Sequence, residues 1–396
     1  MLNKRIRISA CMMVKNEEKN LERCLKSVKP IVDEIILVDT GSTDRTMEIA
    51  RAFGAKVYEH PWENDFSLHR NQSISYASGD FILIVDADEE IVLRGPVSKF
   101  KEFLKSLPDE FNAVIITARD IQKGTVAMEF QTARIFRKGR VRYEGIVHNR
   151  PVLPGNAGIF TDIMEVLHYG YDLTPEQKQA KFERTSGLLF ARLEKNPGDF
   201  DCYFYLSQIY ADSGKLKEAA EFGEKYLEGW GGGNGSGYDA IYYTLAKCSM
   251  EMGQFDKAGR WLREGLARIP DDIDLNFGLV ELGLNVRDTN MVFQGANNYF
   301  KVYDAYRKNP MLKGKRFTYT AKPRSLAWIR GALAVTHFEA GMGHLKRLGE
   351  GLGVEDAGFK NNVLETVQKC LGRLEIPIRM DLGPEKQENG KAAVNQ

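Results

Sequence analysis

The first half of the chain alternates two hydrophobic rhythms. Short apolar runs, "IRISACMMV" (Ile6–Val14), "VDEIILVD" (Val32–Asp39), "AKVYEH" (Ala55–His60) and "DFILIVD" (Asp80–Asp86), carry few polar interruptions. Runs this short and this rich in Ile and Val predict strands covered on both faces. Between them, "NEEKNLERCLKSV" (Asn16–Val28), "STDRTMEIARAFG" (Ser42–Gly54) and "FSLHRNQSISYAS" (Phe66–Ser78) carry helical spacing. Asn16 is the expected N-cap of the first, with Glu17 and Glu18 in its first turn. Ser42 or Thr43 is expected to cap the second, with Gly54 past its end. Asp44 reads as a first-turn charge. Strands separated by single helices predict an α/β domain on a doubly wound, mainly parallel sheet, whose ligands bind beyond the carboxyl ends of the strands. Asp39 and Asp86 fall at that end. Farther on, "RIFRKGRVRYEGIVHNRP" (Arg134–Pro151) reads as a hairpin turning at Lys138-Gly139. Its period of two puts Arg140, Arg142 and Glu144 on one face, with Val141 and Tyr143 on the other.

From about Thr174 the strand rhythm gives way to helices. "YFYLSQIYADSGKLKEAAEF" and "YYTLAKCSMEMGQFDKAGRW" align at a spacing of 39 residues. The alignment matches Tyr203 with Tyr242, Leu206 with Leu245, Gly214 with Gly253 and Ala219 with Ala258. These offsets resemble the tetratricopeptide repeat, whose period is about 34 residues, with the excess assigned to "WGGGNGSG" (Trp230–Gly237). The array is expected to start near Pro175, and a degenerate third unit to run from Asp272 to Pro310. The predicted organisation is an α/β domain over 1–173, helical repeats over 174–310, a helical extension over 311–382 and a disordered polar tail over 383–396.

Charge narrows the classes of partner. The 396 residues hold 55 Lys plus Arg against 54 Asp plus Glu, so no global field favours nucleic acid or an anionic membrane. Five cysteines stand singly, with no CxxC pair, which argues for a reducing compartment and against a zinc site. No run approaches the ~18 apolar residues of a spanning helix. The reading is cytoplasmic, with peripheral membrane contact left open.

The chemistry concentrates where the fourth predicted strand ends, at "VDADEE" (Val85–Glu90). Four carboxylates within five residues need a solvated turn or a bound cation to hold them together. Asp86 and Asp88 together suit a hard divalent ion such as Mg²⁺ or Mn²⁺, which fills its other positions with water and substrate phosphates. Glu89 and Glu90 read as turn residues or supporting groups.

"ISACMMVKNEEKNLERCLKSV", "DEIILVDTGSTDRT", "WENDFSLHRNQSISYASGDFILIVDADEE" and "YEGIVHNRP" together resemble a family-2 glycosyltransferase of the GT-A fold, over roughly Ile6 to Tyr171. The trailing repeats fit a subgroup that includes bacterial peptide S-glycosyltransferases and lipopolysaccharide-core glycosyltransferases. The resemblance implies an inverting, metal-assisted transfer from a nucleotide sugar, a UDP-sugar carrying glucose or N-acetylglucosamine. It implies that Met13, Val14 and Glu17 contact the nucleoside and that Asp39 binds the base. Arg70 and Asn71 match its "RN", the arginine supporting the nucleotide pocket. Asp86 and Asp88 are its DxD. Arg142 is expected at a rim facing the diphosphate, with Glu144 as candidate general base. Relatives often read "HE" where this chain has His148-Asn149, which leaves the base open. His168 matches a late histidine that serves GT-A enzymes as a third metal ligand, with His148 as competitor. The expected acceptor is a protein or peptide. Alternatives are a glycan acceptor with the repeats forming a homodimer, or a scaffold that binds nucleotide sugars without turning them over.

Overall fold

The computed structural model describes residues 5–147, 149–156, 158–170, 173–229, 240–309 and 325–337. Strands β1 (Ile8–Val14), β2 (Glu34–Asp39), β3 (Lys56–Glu59) and β4 (Phe81–Ile84) alternate with helices α1 (Leu21–Val28), α2 (Thr46–Ala52) and α3 (Phe66–Ser75). After them come β5 (Glu89–Leu93), α4 (Val97–Ser106), β6 (Ala113–Gln122), β7 (Thr125–Arg137), β8 (Arg142–Glu144), β9 (Arg150–Val152) and β10 (Gly158–His168). The eight-stranded sheet has the order β3-β2-β1-β4-β7-β6-β10-β5, with β8 and β9 forming a separate ribbon. β3, β2, β1 and β4 are mutually parallel, as the strand–helix alternation requires. β7 runs antiparallel to β4 and β6 and makes the sheet mixed.

The unbroken apolar runs have the cause expected of them. Ile8, Ala10, Met12 and Val14 pack with Leu21, Leu25, Val28, Phe100 and Leu104 on one face. Cys11, Ile36, Ile82 and Ile84 pack with Phe136 and Tyr143 on the other. Both faces of the central strands are covered, so polar residues are excluded from both.

Three local expectations are corrected. The first helix starts at Leu21 rather than Asn16, because Asn16 takes a left-handed φ of 55° and Glu17–Asn20 form a turn in which Glu17 O accepts from Asn20 and Leu21 N–H. Glu89 and Glu90 open a strand, β5, rather than lying in a turn. Lys138-Gly139 does turn the chain, with Gly139 at φ 74°, but the strands on either side do not pair. β7 continues the main sheet, and β8 pairs with β9.

The second half is helical: α5 (Pro175–Lys195), α6 (Phe200–Asp212), α7 (Leu216–Gly229), α8 (Ile241–Glu251), α9 (Phe255–Arg268), α10 (Ile273–Val286), α11 (Thr289–Lys308) and α12 over 325–337. α5 opens with Thr174 and Gln177 capping one another and Pro175 in the first turn. Gly214 and Gly253 turn α6 into α7 and α8 into α9 at φ 73° and 72°. The degenerate third unit is the pair α10/α11. Its turn residue is Arg287, at φ 58° and 34 residues beyond Gly253, which is why the glycine pattern disappears there. Leu206, Leu245 and Leu279 occupy the same buried position in the three units. The segments 230–237 and 338–396 lie outside the described residues, so the insertion, most of the extension and the tail fall there too. Among the described residues no helix is long and apolar enough to cross a membrane.

Helices and sheet domain are joined through a short wedge. Ile146 and Val147, after β8, pack against Leu189 of α5 and Cys202 and Leu206 of α6. The same wedge reaches back to α3, whose first residue, Phe66, donates its N–H to Ile146 O at 3.0 Å.

Candidate active site

Topology brings charged side chains from several strands to one edge of the sheet. β1, β2 and β4 run parallel, so Val14 and Asp39 end in register and Asp86 follows just past β4. β6 and β10 run in that direction too, and Asp120 and His168, near their ends, are register partners. β5, antiparallel to β10, starts at this edge and pairs Glu89 with His168.

Asp39 is buried, 2% exposed. Its Oδ1 accepts from the N–H groups of Gly41 and Ser42 at 3.0 and 2.9 Å, in a turn where Gly41 takes φ 105°. Its Oδ2 is buried with no partner among the described residues. An ionised oxygen left so is costly, and an N–H donor from a ligand satisfies it. The β1–α1 and β2–α2 loops are tied together around it. Asn16 Oδ1 accepts from Thr43 N–H at 2.8 Å, Glu17 N–H donates to Thr46 Oγ1 at 2.7 Å, and Glu18 N–H donates to Asp44 Oδ2 at 3.1 Å. Asp44 thus ties the two loops and bonds the start of α2. Met13 precedes the buried Val14 in β1 and is half-buried. Burial raises the half-buried Glu17 carboxyl, and the charges of Asp88, Asp86 and Asp44 add to this against the Asn20 hydrogen bond.

The DxD carboxylates have different surroundings. Asp86 Oδ1 accepts from Arg70 Nη2 at 2.9 Å, and its Oδ2 lies 3.6 Å from Arg134 Nη1. Burial acts to raise its pKa, but the two guanidinium groups outweigh burial and hold the carboxyl below its usual range. Arg134 also binds Glu89, which is pushed upward by burial against the pull of Arg134. Glu89 accepts the Asp86 N–H at 2.8 Å as well, so it shapes the turn that carries the motif. Asn71 latches β8 to α3, exchanging bonds of 2.9 and 2.8 Å with the backbone of Tyr143.

Asp88 faces the histidine. Its Oδ2 lies 3.4 Å from His168 Nε2, while His168 Nδ1 bonds Asp120 Oδ1 at 2.7 Å. Burial would lower the imidazole pKa, but Asp120 and Asp88 outweigh it and raise the value well above the ordinary range. Tyr169 N–H donates to Asp88 O at 3.0 Å, and a Cβ on Gly170 would meet Asp88 Oδ2 at 2.0 Å. Only glycine permits so close an approach.

Among the described residues no three His, Cys, Asp or Glu side chains gather as a ready metal cage. Both Asp86 oxygens lie beside arginines, whereas Asp88 Oδ2 lies beside His168 Nε2. Asp88 and His168 are the pair that could hold a cation once the imidazole gives up its proton, with Asp120 orienting the ring as a carboxylate commonly does for a metal-binding histidine. Two protein ligands suffice for an ion that takes its remaining positions from diphosphate and water.

Arg142 and Glu144 share the exposed face of β8, as their period predicts, but pair with each other at 2.5 Å. His148 lies outside the described residues. Sequence reasoning missed Arg134, Asp120 and Gly170. Arg134 is the extra residue of a β-bulge, since Ile135 pairs with Val114 and Ala133 with Ile115; bulges re-aim side chains next to sites. Asp120 had a readable signal: it continues the buried alternation Val114, Ile116, Ala118 of β6, where a carboxylate is out of place.

Residues 9–165, the span that contains this edge, match the sequence profile described as Glycosyl transferase family 2. Over these residues the chain is similar to the family-2 glycosyl transferases. A "TPR repeat-containing protein" of Synechococcus elongatus is 32% identical over 266 residues, which cover 63% of this chain and 64% of that one. The "SPbeta prophage-derived glycosyltransferase SunS" of Bacillus subtilis is 28% identical over 230 residues, covering 56% and 54%. The chain therefore spans between half and two thirds of the length of these relatives. A glucosyl-3-phosphoglycerate synthase of Mycobacterium tuberculosis, solved with Mn²⁺, UDP-glucose and phosphoglyceric acid, is similar over 30% of this chain and 45% of that one, at 26% identity and TM-score 0.23.

Proposed function

We propose that the protein moves a glycosyl unit from a nucleoside-diphosphate sugar, a UDP-sugar, to a protein or peptide acceptor with inversion at the anomeric carbon. The observation that carries the reading is the unpartnered Asp39 Oδ2, at the same sheet edge as Asp88 and His168. An aspartate so placed suits the imide N–H of uracil. Asp88 and His168 would hold Mn²⁺ or Mg²⁺ against the diphosphate, and Asp120 would keep the His168 ring turned toward it. When bound, the cation supplies Lewis-acid stabilisation of charge developing on the leaving diphosphate. Arg70 and Arg134 hold Asp86 ionised, and with it the turn that carries Asp88. A small sugar acceptor needs no helical array more than 100 residues long, whereas a polypeptide gains an extended surface from it. The division into a transfer domain over 1–173 and a helical acceptor-binding part from Thr174 rests on the same reasoning.

The test is a thermal-shift panel of UDP-, GDP- and dTDP-sugars with and without Mn²⁺, followed by nucleotide release with protein acceptor. UDP-sugars alone should raise the melting temperature, and more so with metal. Asp88→Ala should abolish release and leave the circular dichroism spectrum unchanged. Release that survives in this variant, or that ignores excess EDTA, rules out the metal-assisted reading.

A further inference from the structure

The helices after the transfer domain enclose a groove with no part in the chemistry described above. Its volume is about 590 Å³, and α6, α8, α10 and α12 wall it. Asp212, Glu251 and Glu281 line it together with one cation, Lys247. The charges are unbalanced: Lys247 acts on both Asp212 and Glu281, yet burial still raises both carboxyls, Glu281 up to about 7. The Tyr243 hydroxyl donates to Glu281 Oε2 at 3.3 Å, which leaves the carboxylate with further acceptor capacity. The remaining wall includes Phe277 and Trp328, with ring centroids 4.9 Å apart. An apolar aromatic wall beside surplus negative charge fits a long cationic side chain, its stem on the rings and its head among the carboxylates.

Lys181 of α5 is within electrostatic reach of Asp88, Asp120 and Asp212. A divalent cation is a poor occupant, since the described residues gather no set of metal-holding side chains there. A neutral or anionic glycan would leave the surplus charge unanswered.

We propose that this groove binds an extended polypeptide segment by a lysine or arginine side chain, received by Asp212, Glu251 and Glu281 beside Phe277 and Trp328. The inference deepens the polypeptide-acceptor reading and rests on it for its biological role, but binding is measurable without transfer. The probes are three fluorescein-labelled dodecapeptides of glycine and serine carrying two lysines, two glutamates or neither, followed by anisotropy with the full chain. The lysine peptide should bind about tenfold more tightly than the other two, and Glu281→Gln should weaken it by about tenfold. Lys247→Glu should strengthen it, and donor hydrolysis should stay at its original rate in both variants. A second pair, Asp212→Asn with Glu251→Gln, removes the other two carboxylates and keeps the test open if Glu281→Gln unfolds. Equal binding of all three peptides, or binding indifferent to these substitutions, overturns the proposal. Self-association lost in Trp328→Ala, with no peptide bound, gives the groove to a second copy and overturns it too. Lysine-peptide binding without any transfer to protein would uphold the groove while sinking the polypeptide-acceptor reading. Transfer to protein that is unchanged by the groove substitutions, with no peptide selectivity, would do the reverse.

Discussion

Asp39 has one oxygen satisfied by two backbone N–H groups of its turn and one with no partner among the described residues, and the proposed nucleotide contact rests on this asymmetry. Asp39→Ala should weaken nucleotide-sugar binding by about 1.5–3 kcal/mol in a calorimetric titration, the usual range for a hydrogen bond to a charged group. Unchanged affinity would return Asp39 to a purely local role. Gly170 is the second case at this scale. Its missing side chain leaves room for Asp88 and His168 to approach, so Gly170→Ala should lower turnover by about 10²-fold through displacement of Asp88. A melting temperature near that of the parent would show that the site and not the fold was hit. The places of Asp39 and Asp86 at the carboxyl ends of β2 and β4 were legible in the sequence because each ends a recognisable apolar run. Gly170 was not, because its importance lies in what approaches it across 82 residues of chain, from Asp88. Arg134 was hidden for a similar reason, since one inserted residue in β7 leaves no mark on the hydrophobic pattern.

At the scale of elements, the strands of the parallel half were read to within two residues, because burial on both faces leaves an unbroken apolar text. β5 was hidden by its own function: its first residues are the carboxylates that support the DxD turn, so it begins with the polar text of a loop. The start of α1 was misplaced because Asn16 offers a capping side chain but spends it on Thr43 of the neighbouring loop. Glu34, at the start of β2, fastens elements in another way. Its carboxylate accepts from Lys56 Nζ at 2.8 Å, Ser9 Oγ at 2.6 Å and Ser78 N–H at 2.6 Å, joining β1, β2, β3 and the approach to β4. Burial opposes its ionisation, but these bonds outweigh burial and bring the pKa from 4.5 to about 2. The folded value lies below the unfolded one, so the stabilisation is complete above about pH 4.5 and disappears as pH falls toward 2. Glu34→Gln should therefore remove up to about 3 kcal/mol at neutral pH and flatten the loss of stability across that acid window. Unfolding curves in urea at stepped pH give the comparison; parallel curves for both proteins would mean that Glu34 contributes nothing.

At the scale of the molecule, the sheet domain and the helices share a hydrophobic contact in which Val147 of one meets Leu189, Cys202 and Leu206 of the other. Leu189 is 1% exposed, and Leu189→Ala should cost about 2–4 kcal/mol. Calorimetry of the parent should show a single transition, moved as a whole by this substitution; two transitions, only the later or only the earlier displaced, would mean that the halves melt separately. The repeats were legible because Leu206 and Leu245 recur with Gly214 and Gly253, whereas this joint, made by two residues after a three-residue strand, carries no periodic signal. The wedge has a further consequence. Ile146 accepts a hydrogen bond from the first residue of α3, the helix that carries Arg70, while its neighbour Val147 lies in the core of α5 and α6. Any ligand that tightens one side of the wedge therefore changes the free energy of ordering the other, and such linkage is reciprocal. If an occupied helical groove raises affinity for the nucleotide sugar by some factor, the nucleotide sugar raises affinity in the groove by that same factor.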